Sequence, residues 1–104
     1  MAGYVVGHLQ DVILGPEIVE YMGRIDATLE PYGGRFLIRG GEAEVREGEW
    51  AGDLIVIEFP DLNQARAWYE SPAYQEITPL RVDNSKSDLF LVDGVDHPAT
   101  DVPA

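Results

Sequence analysis

Among the side chains suited to proton transfer in this sequence, His8 and Glu58 are the two whose predicted places could bring them together. His8 is the only histidine within the patterned part of the chain; the other, His97, lies near its end. A carboxylate beside an imidazole holds one tautomer and raises its basicity, which is the usual make-up of a general base. His8 falls near the end of a first predicted strand and Glu58 near the end of a third. If those strands are parallel neighbours, about 4.8 Å apart, the two side chains meet on a shared face. His8 is then the base and Glu58 its orienter. A structural His–Glu pair tying a sheet edge or a dimer together is the competing reading.

Arg39 carries the planar fork that clamps a carboxylate. An ion pair with the acidic stretch Glu42–Gly48 of either protomer is the alternative. Trp68, Tyr69 and Tyr74 are placed to line a flat apolar pocket for a small ligand, although aromatics at helical spacing also make plain core. Helices following the first and third strands would point positive N-termini at the His8 end and attract an anion. Trp50 reads as an anchor of a dimer contact.

Metal and cofactor chemistry finds little support. The chain has no cysteine, which excludes thiolate zinc, iron–sulfur clusters, disulfides and a cysteine nucleophile. Glu42, Glu44, Glu47 and Glu49 lack the Asp/Asn-Gly spacing of a calcium loop and read as a solvated arm. Asp93, Asp96, His97 and Asp101 would hold a metal only weakly, and His8 alone is a poor basis for a heme pocket. Gly33-Gly34 and Gly40-Gly41 lack the lysine of a phosphate-cradling loop. The expectation is no metal and no cofactor.

The 104 residues, 45% hydrophobic and 25% charged, suit one globular domain. Nineteen acidic against seven basic side chains give a net charge of -12. Such a surface repels nucleic acid and anionic lipid, so neither is expected as a partner. No stretch approaches the roughly 20 apolar residues of a membrane span. The missing targeting signal predicts a cytoplasmic location.

The elements that must position these groups follow from periodicity. Tyr4–Gln10 is β-prone. Pro16 suits a first helical position, and Ile18, Tyr21, Met22, Ile25, Leu29 and Tyr32 then form one apolar stripe that ends at Gly33-Gly34. Arg35–Gly40 alternates as a strand, with Phe36 and Ile38 on one face and Arg35, Leu37 and Arg39 on the other. A twisted hairpin arm leads on to Asp53–Pro60. Asp61 caps a helix over Leu62–Glu70. Ser71-Pro72 breaks it, a short helix runs through Ile77, and Thr78-Pro79 breaks again. Ser87–Val92 is a fourth strand, and a loose tail starts at Asp93.

This order gives an α+β, ferredoxin-like β-α-β-β-α-β fold: a four-stranded antiparallel sheet with helices on one face, strands one and three central and mutually parallel. The folded domain covers 1–95, and 96–104 forms a C-terminal tail. Val5, Leu9, Phe36, Ile38, Ile55, Ile57, Phe59, Phe90 and Val92 are assigned to the helix side. Parity sends Tyr4, Val6, Leu37, Leu54, Val56, Leu89 and Leu91 to the other side. A half-exposed sheet alternates apolar and polar residues; this one is apolar on both faces. Burying seven such side chains is worth roughly 1.5–3 kcal/mol each, so a homodimer through the sheet face is expected. Cover by loops or the tail is the alternative.

The segments Tyr4–His8, Gly33–Gly41, Ile55–Pro60, Ala67-Trp68-Tyr69, Ser71–Tyr74 and Pro79-Leu80-Arg81, in this order, resemble the domain-of-unknown-function family numbered 1330. The resemblance runs from Met1 to about Val95. It implies the dimeric α/β-barrel superfamily, in which two ferredoxin-like protomers join their sheets. Relatives there include cofactor-independent monooxygenases, muconolactone isomerase and the chlorite-dismutase group. The family has no established reaction, so it supplies no catalytic residues. Two functions stay open. One is a cofactor-independent, monooxygenase- or isomerase-like enzyme acting on a small organic molecule with His8 as base. The other is a non-catalytic homodimeric protein, ligand-binding or stress-associated.

Overall fold

In the computed structural model, which describes residues 1–95, the chain runs β1 (Gly3–Gln10), α1 (Pro16–Leu29), a 3₁₀ turn (Glu30–Tyr32), β2 (Arg35–Arg39), β3 (Asp53–Phe59), α2 (Leu62–Glu70), α3 (Pro72–Val82) and β4 (Lys86–Asp93). Pro16 opens α1 as expected, its missing N–H costing nothing at that position. Gly33, at φ 71°, closes the 3₁₀ turn in the left-handed region that a residue without Cβ adopts readily. Asp61 caps α2 by accepting from Gln64 N at 2.8 Å, and Ser71 caps α3. The sheet order is β2-β3-β1-β4, every pair antiparallel. Its inner face packs on the helices through Val5, Ile57 and Phe59, against Ile25, Leu29, Trp68 and Ile77.

Several expectations need correction. β1 and β3 are central, but they run antiparallel rather than parallel. The chain returns from β2 to β3 by a reversal, which places β3 between two strands of the opposite direction. His8 therefore pairs with Leu54, and Glu58 with Tyr4, at the far end of β1. For the same reason α1 and α2 start at opposite ends of the sheet, so their N-termini do not converge.

The faces of β2 and β4 also differ from those expected, β2 through a bulge and β4 through the opposite parity. A bulge in β2 lies between Phe36, opposite Ile57, and Ile38, opposite Val56. One extra residue reverses every later side chain. Ile38 consequently turns to the open face and Arg39, opposite Ile55, turns toward the helices. On β4, Leu89 and Leu91 sit beside Gly7 and Val5 and pack on the core, whereas Phe90 and Val92 are exposed. The connection 40–52 contains no strand, so the expected hairpin arm is a solvated loop.

Pro79 does not break α3. The helix continues to Val82 with the proline inside it. Thr78 Oγ1 donates to the Tyr74 carbonyl at 3.0 Å within the same turn. This extra turn carries Arg81 into the interior. β4 extends through Asp93, so the tail begins later than expected; residues 96–104, with Asp96, His97 and Asp101, lie outside the described residues. No helix among the described residues is long and apolar enough to cross a membrane.

Candidate functional site

A cavity of about 380 Å³ lies between α1 and the inner face of the sheet. Its origin is legible in β1. Gly7 faces inward between Val5 and Leu9, and an added Cβ there would meet nothing closer than 3.6 Å. A strand position without a side chain, opposite a helix, leaves a volume that neighbouring side chains do not fill. The outer lining includes Leu14 and Met22 of the α1 region, both exposed, together with Arg39 and Asp53 from the strand ends. The deep lining is Ile57, Trp68, Tyr74 and Arg81, all buried.

Polar groups gather at that deep end. The hydroxyls of Tyr21 on α1 and Tyr74 on α3 hydrogen-bond at 2.8 Å. Burial above all, and then the neighbouring Tyr74, pushes the Tyr21 phenol far above its ordinary value, so it is a neutral donor or acceptor at any physiological pH. Trp68 stacks at 4.0 Å centroid distance on Tyr74, and its indole N–H donates to Thr28 Oγ1 at 2.9 Å. Thr28 in turn donates to the Ile25 carbonyl.

Arg81 is only 5% exposed and its guanidinium lies 6.0 Å from the centre of the Tyr21 ring. Nη1 donates to Ser87 Oγ at 2.5 Å, while Nε is buried without a partner. Burial works against the charge, but the phenol oxygens of Tyr74 and Tyr21 outweigh it and the cation is held more firmly than usual. Four more exposed arginines, Arg24, Arg35, Arg39 and Arg46, each pair with a carboxylate. Among the described residues no carboxylate pairs with Arg81.

Arg39 reaches the cavity mouth because of the β2 bulge. It donates to Asp26 at 2.9 Å and to the Met22 carbonyl at 3.0 Å, and lies 4.2 Å over the Phe36 ring. Its ion pair is with α1, not with the acidic stretch Glu42–Gly48. The side chain ties β2 to α1 across the cavity mouth.

His8 and Glu58 are not brought together. His8 points to the open face, stacked on Trp50 at 4.2 Å. Its Nε2 lies 2.5 Å from the Ala51 carbonyl. A carbonyl only accepts, so Nε2 carries the proton and Nδ1 is the free lone pair of the neutral ring. Glu58 accepts from Arg35 Nε at 2.7 Å and from Tyr4 at 3.3 Å. Of the aromatic trio, Trp68 and Tyr74 line the cavity, whereas Tyr69 packs outside it, 5.8 Å from Tyr74. Sequence reasoning missed Tyr21 and Arg81 as site residues. The signal available was the spacing Tyr74, Ile77, Arg81, which puts all three on one helix face if Pro79 is tolerated. Among the described residues no cluster of His, Asp and Glu could hold a metal ion.

Residues 2–95 match the family model described as domain of unknown function, DUF1330. No curated protein matches the chain in sequence. Solved structures with the same fold include a dimeric ferredoxin-like protein of unknown function from Jannaschia sp. CCS1, with a TM-score of 0.71 at 14% identity over 90% of this chain and 100% of that one. The RPA0582 protein of unknown function from Rhodopseudomonas palustris has a TM-score of 0.65 at 15% identity over 92% and 84% of the two chains. SnoaB, a cofactor-independent oxygenase from Streptomyces nogalater, has a TM-score of 0.60 at 18% identity over 96% and 98%.

Proposed function

Because the chain belongs to the DUF1330 family, whose function is not defined, its chemistry has to come from its own site, and we propose that it is a homodimer binding one small, largely apolar organic molecule in the cavity of each protomer. The carrying observation is the convergence of Tyr21, Tyr74 and Arg81 at the deep end of an otherwise apolar space. A few polar groups at the end of an apolar pocket are what fix a small ligand in place. The volume suits a body of one or two rings.

The dimeric half of the reading rests on the open sheet face. Ile38, Phe90 and Val92 are 42%, 54% and 43% exposed there, beside half-buried Val6, Leu54 and Val56. A continuous apolar face on a thin sheet is favourably covered by a second copy. The Jannaschia neighbour is described as dimeric, which supports this choice.

A second reading is cofactor-independent turnover, the activity SnoaB is named for, at the open sheet face rather than in the cavity. His8, the histidine among the described residues, is the candidate base: its Nε2 is engaged by the Ala51 carbonyl, which leaves the lone pair of the neutral ring at Nδ1. It stands on the opposite face of β1 from the cavity, so a reaction using it takes place at the sheet face. There the partner protomer and Trp50 form its surroundings.

The test is nuclear magnetic resonance titration of the whole chain with cinnamyl alcohol, a neutral aromatic of suitable size. Wild type is expected to bind. Gly7→Leu, which fills the cavity from the sheet, is expected to fold and not to bind. Equal binding by both, or no binding by wild type of either this alcohol or the corresponding acid, overturns the proposal.

A further inference from the structure

We infer that the ligand of this cavity is a carboxylate: a small organic acid whose apolar body lies under α1 and whose anionic end meets Arg81 and the Tyr21–Tyr74 pair. This rests on the cavity being the ligand site and goes further by naming the ligand's charge and orientation.

Three observations carry it. Arg81 is a buried cation with no carboxylate partner among the described residues, in a chain with nineteen acidic side chains. A buried charge is strongly disfavoured unless it is paired and hydrogen-bonded. Ser87 and the phenol oxygens of Tyr74 and Tyr21 face the guanidinium, but none of them carries a charge, and its Nε is buried with no partner among the described residues. Second, the tyrosine pair has a donor to spare. Two hydroxyls hold two protons, and their mutual hydrogen bond uses one. Arg81 beside them can only donate, and neither hydroxyl has a further acceptor among the described residues, so one O–H remains free. Third, the carboxylate that lines the cavity, Asp53, stands at an exposed strand end, and Asp26 of α1 is engaged by Arg39 at the mouth.

A carboxylate at the deep end has two oxygens, able to accept from the guanidinium and from the spare tyrosine hydroxyl. Charge-assisted hydrogen bonds of this kind are short and about twice as strong as neutral ones. A neutral alcohol of the same shape would leave the arginine unpaired. The site thus selects for charge by the cost of leaving its own donors unsatisfied.

The experiment compares cinnamate with cinnamyl alcohol at neutral pH, on the full chain, by calorimetry or resonance titration. Wild type is expected to bind cinnamate about tenfold or more tightly than the alcohol, the factor that one charge-assisted hydrogen bond supplies. Arg81→Gln is expected to erase that preference while still binding the alcohol. If wild type binds the alcohol as well as the acid, the carboxylate assignment is wrong and the cavity as ligand site stands. If neither probe binds, both are wrong. Should Arg81→Gln fail to fold, Tyr21→Phe decides: loss of cinnamate affinity several-fold greater than loss of alcohol affinity supports the assignment, and equal losses overturn it.

Discussion

The hydroxyls of Tyr21 and Tyr74 lie 2.8 Å apart, one offered by α1 and the other by α3, and they join the two helices at the bottom of the cavity. The bond fixes the depth of the space and orients the donor that remains. The same two rings flank Arg81, so one small polar cluster sets the charge, the floor and the helix spacing together.

This pairing makes stability sensitive to alkali. Tyr21 has its folded-state pKa raised by burial, so the folded chain keeps a proton that the unfolded chain releases near pH 10. Its contribution is fully present below that pH and is lost as the pH rises above it. Thermal unfolding followed from pH 8 to pH 11 should show the melting temperature of wild type falling more steeply than that of Tyr21→Phe. Parallel curves would show that Tyr21 is not held neutral by the fold.

Val56 sits at the centre of the open face, opposite Val6 and Ile38. Val56→Asp puts a carboxylate into the proposed sheet-to-sheet contact and removes no core contact. Sedimentation is expected to show a dimer for wild type and monomer or aggregate for the variant. A variant dimer as tight as wild type would place the interface elsewhere.

Thr28 is a buried relay: its hydroxyl accepts from the Trp68 indole and donates to the Ile25 carbonyl. Thr28→Val keeps the shape and strands the indole N–H. The loss is expected to be about 1–3 kcal/mol in urea unfolding, the usual cost of an unsatisfied buried donor. A change below about 0.5 kcal/mol, within the range of an ordinary surface substitution, would mean that the indole finds another partner.

Strand and helix identities were legible because their signals are local. Pro16, Gly33, Asp61 and Ser71 mark boundaries by conformation and capping, and the structure uses them so. Central placement of β1 and β3 was legible too, and their relative direction was not. Direction depends on how the chain reverses after β2, a non-local fact that decides whether His8 faces Glu58 or Leu54. The β2 bulge was invisible to a period of two, yet it alone turns Arg39 inward. Pro79 was read as a break because proline normally ends a helix. Tertiary packing of Tyr74 and Ile77 overrode that tendency, and Arg81 came inside with them. The site was therefore half legible: Arg39, Trp68 and Tyr74 from residue type and helical pattern, Tyr21 and Arg81 only from the fold.

The most direct measurement is a residue-by-residue map of amide and indole shifts as cinnamyl alcohol is added to the full chain. The account predicts shifts centred on Tyr21, Ile57, Trp68 and Arg81, with the Trp68 indole the largest. Shifts confined to His8, Trp50 and Ala51, with the Trp68 indole unmoved, would contradict it and return the site to the open face of the sheet.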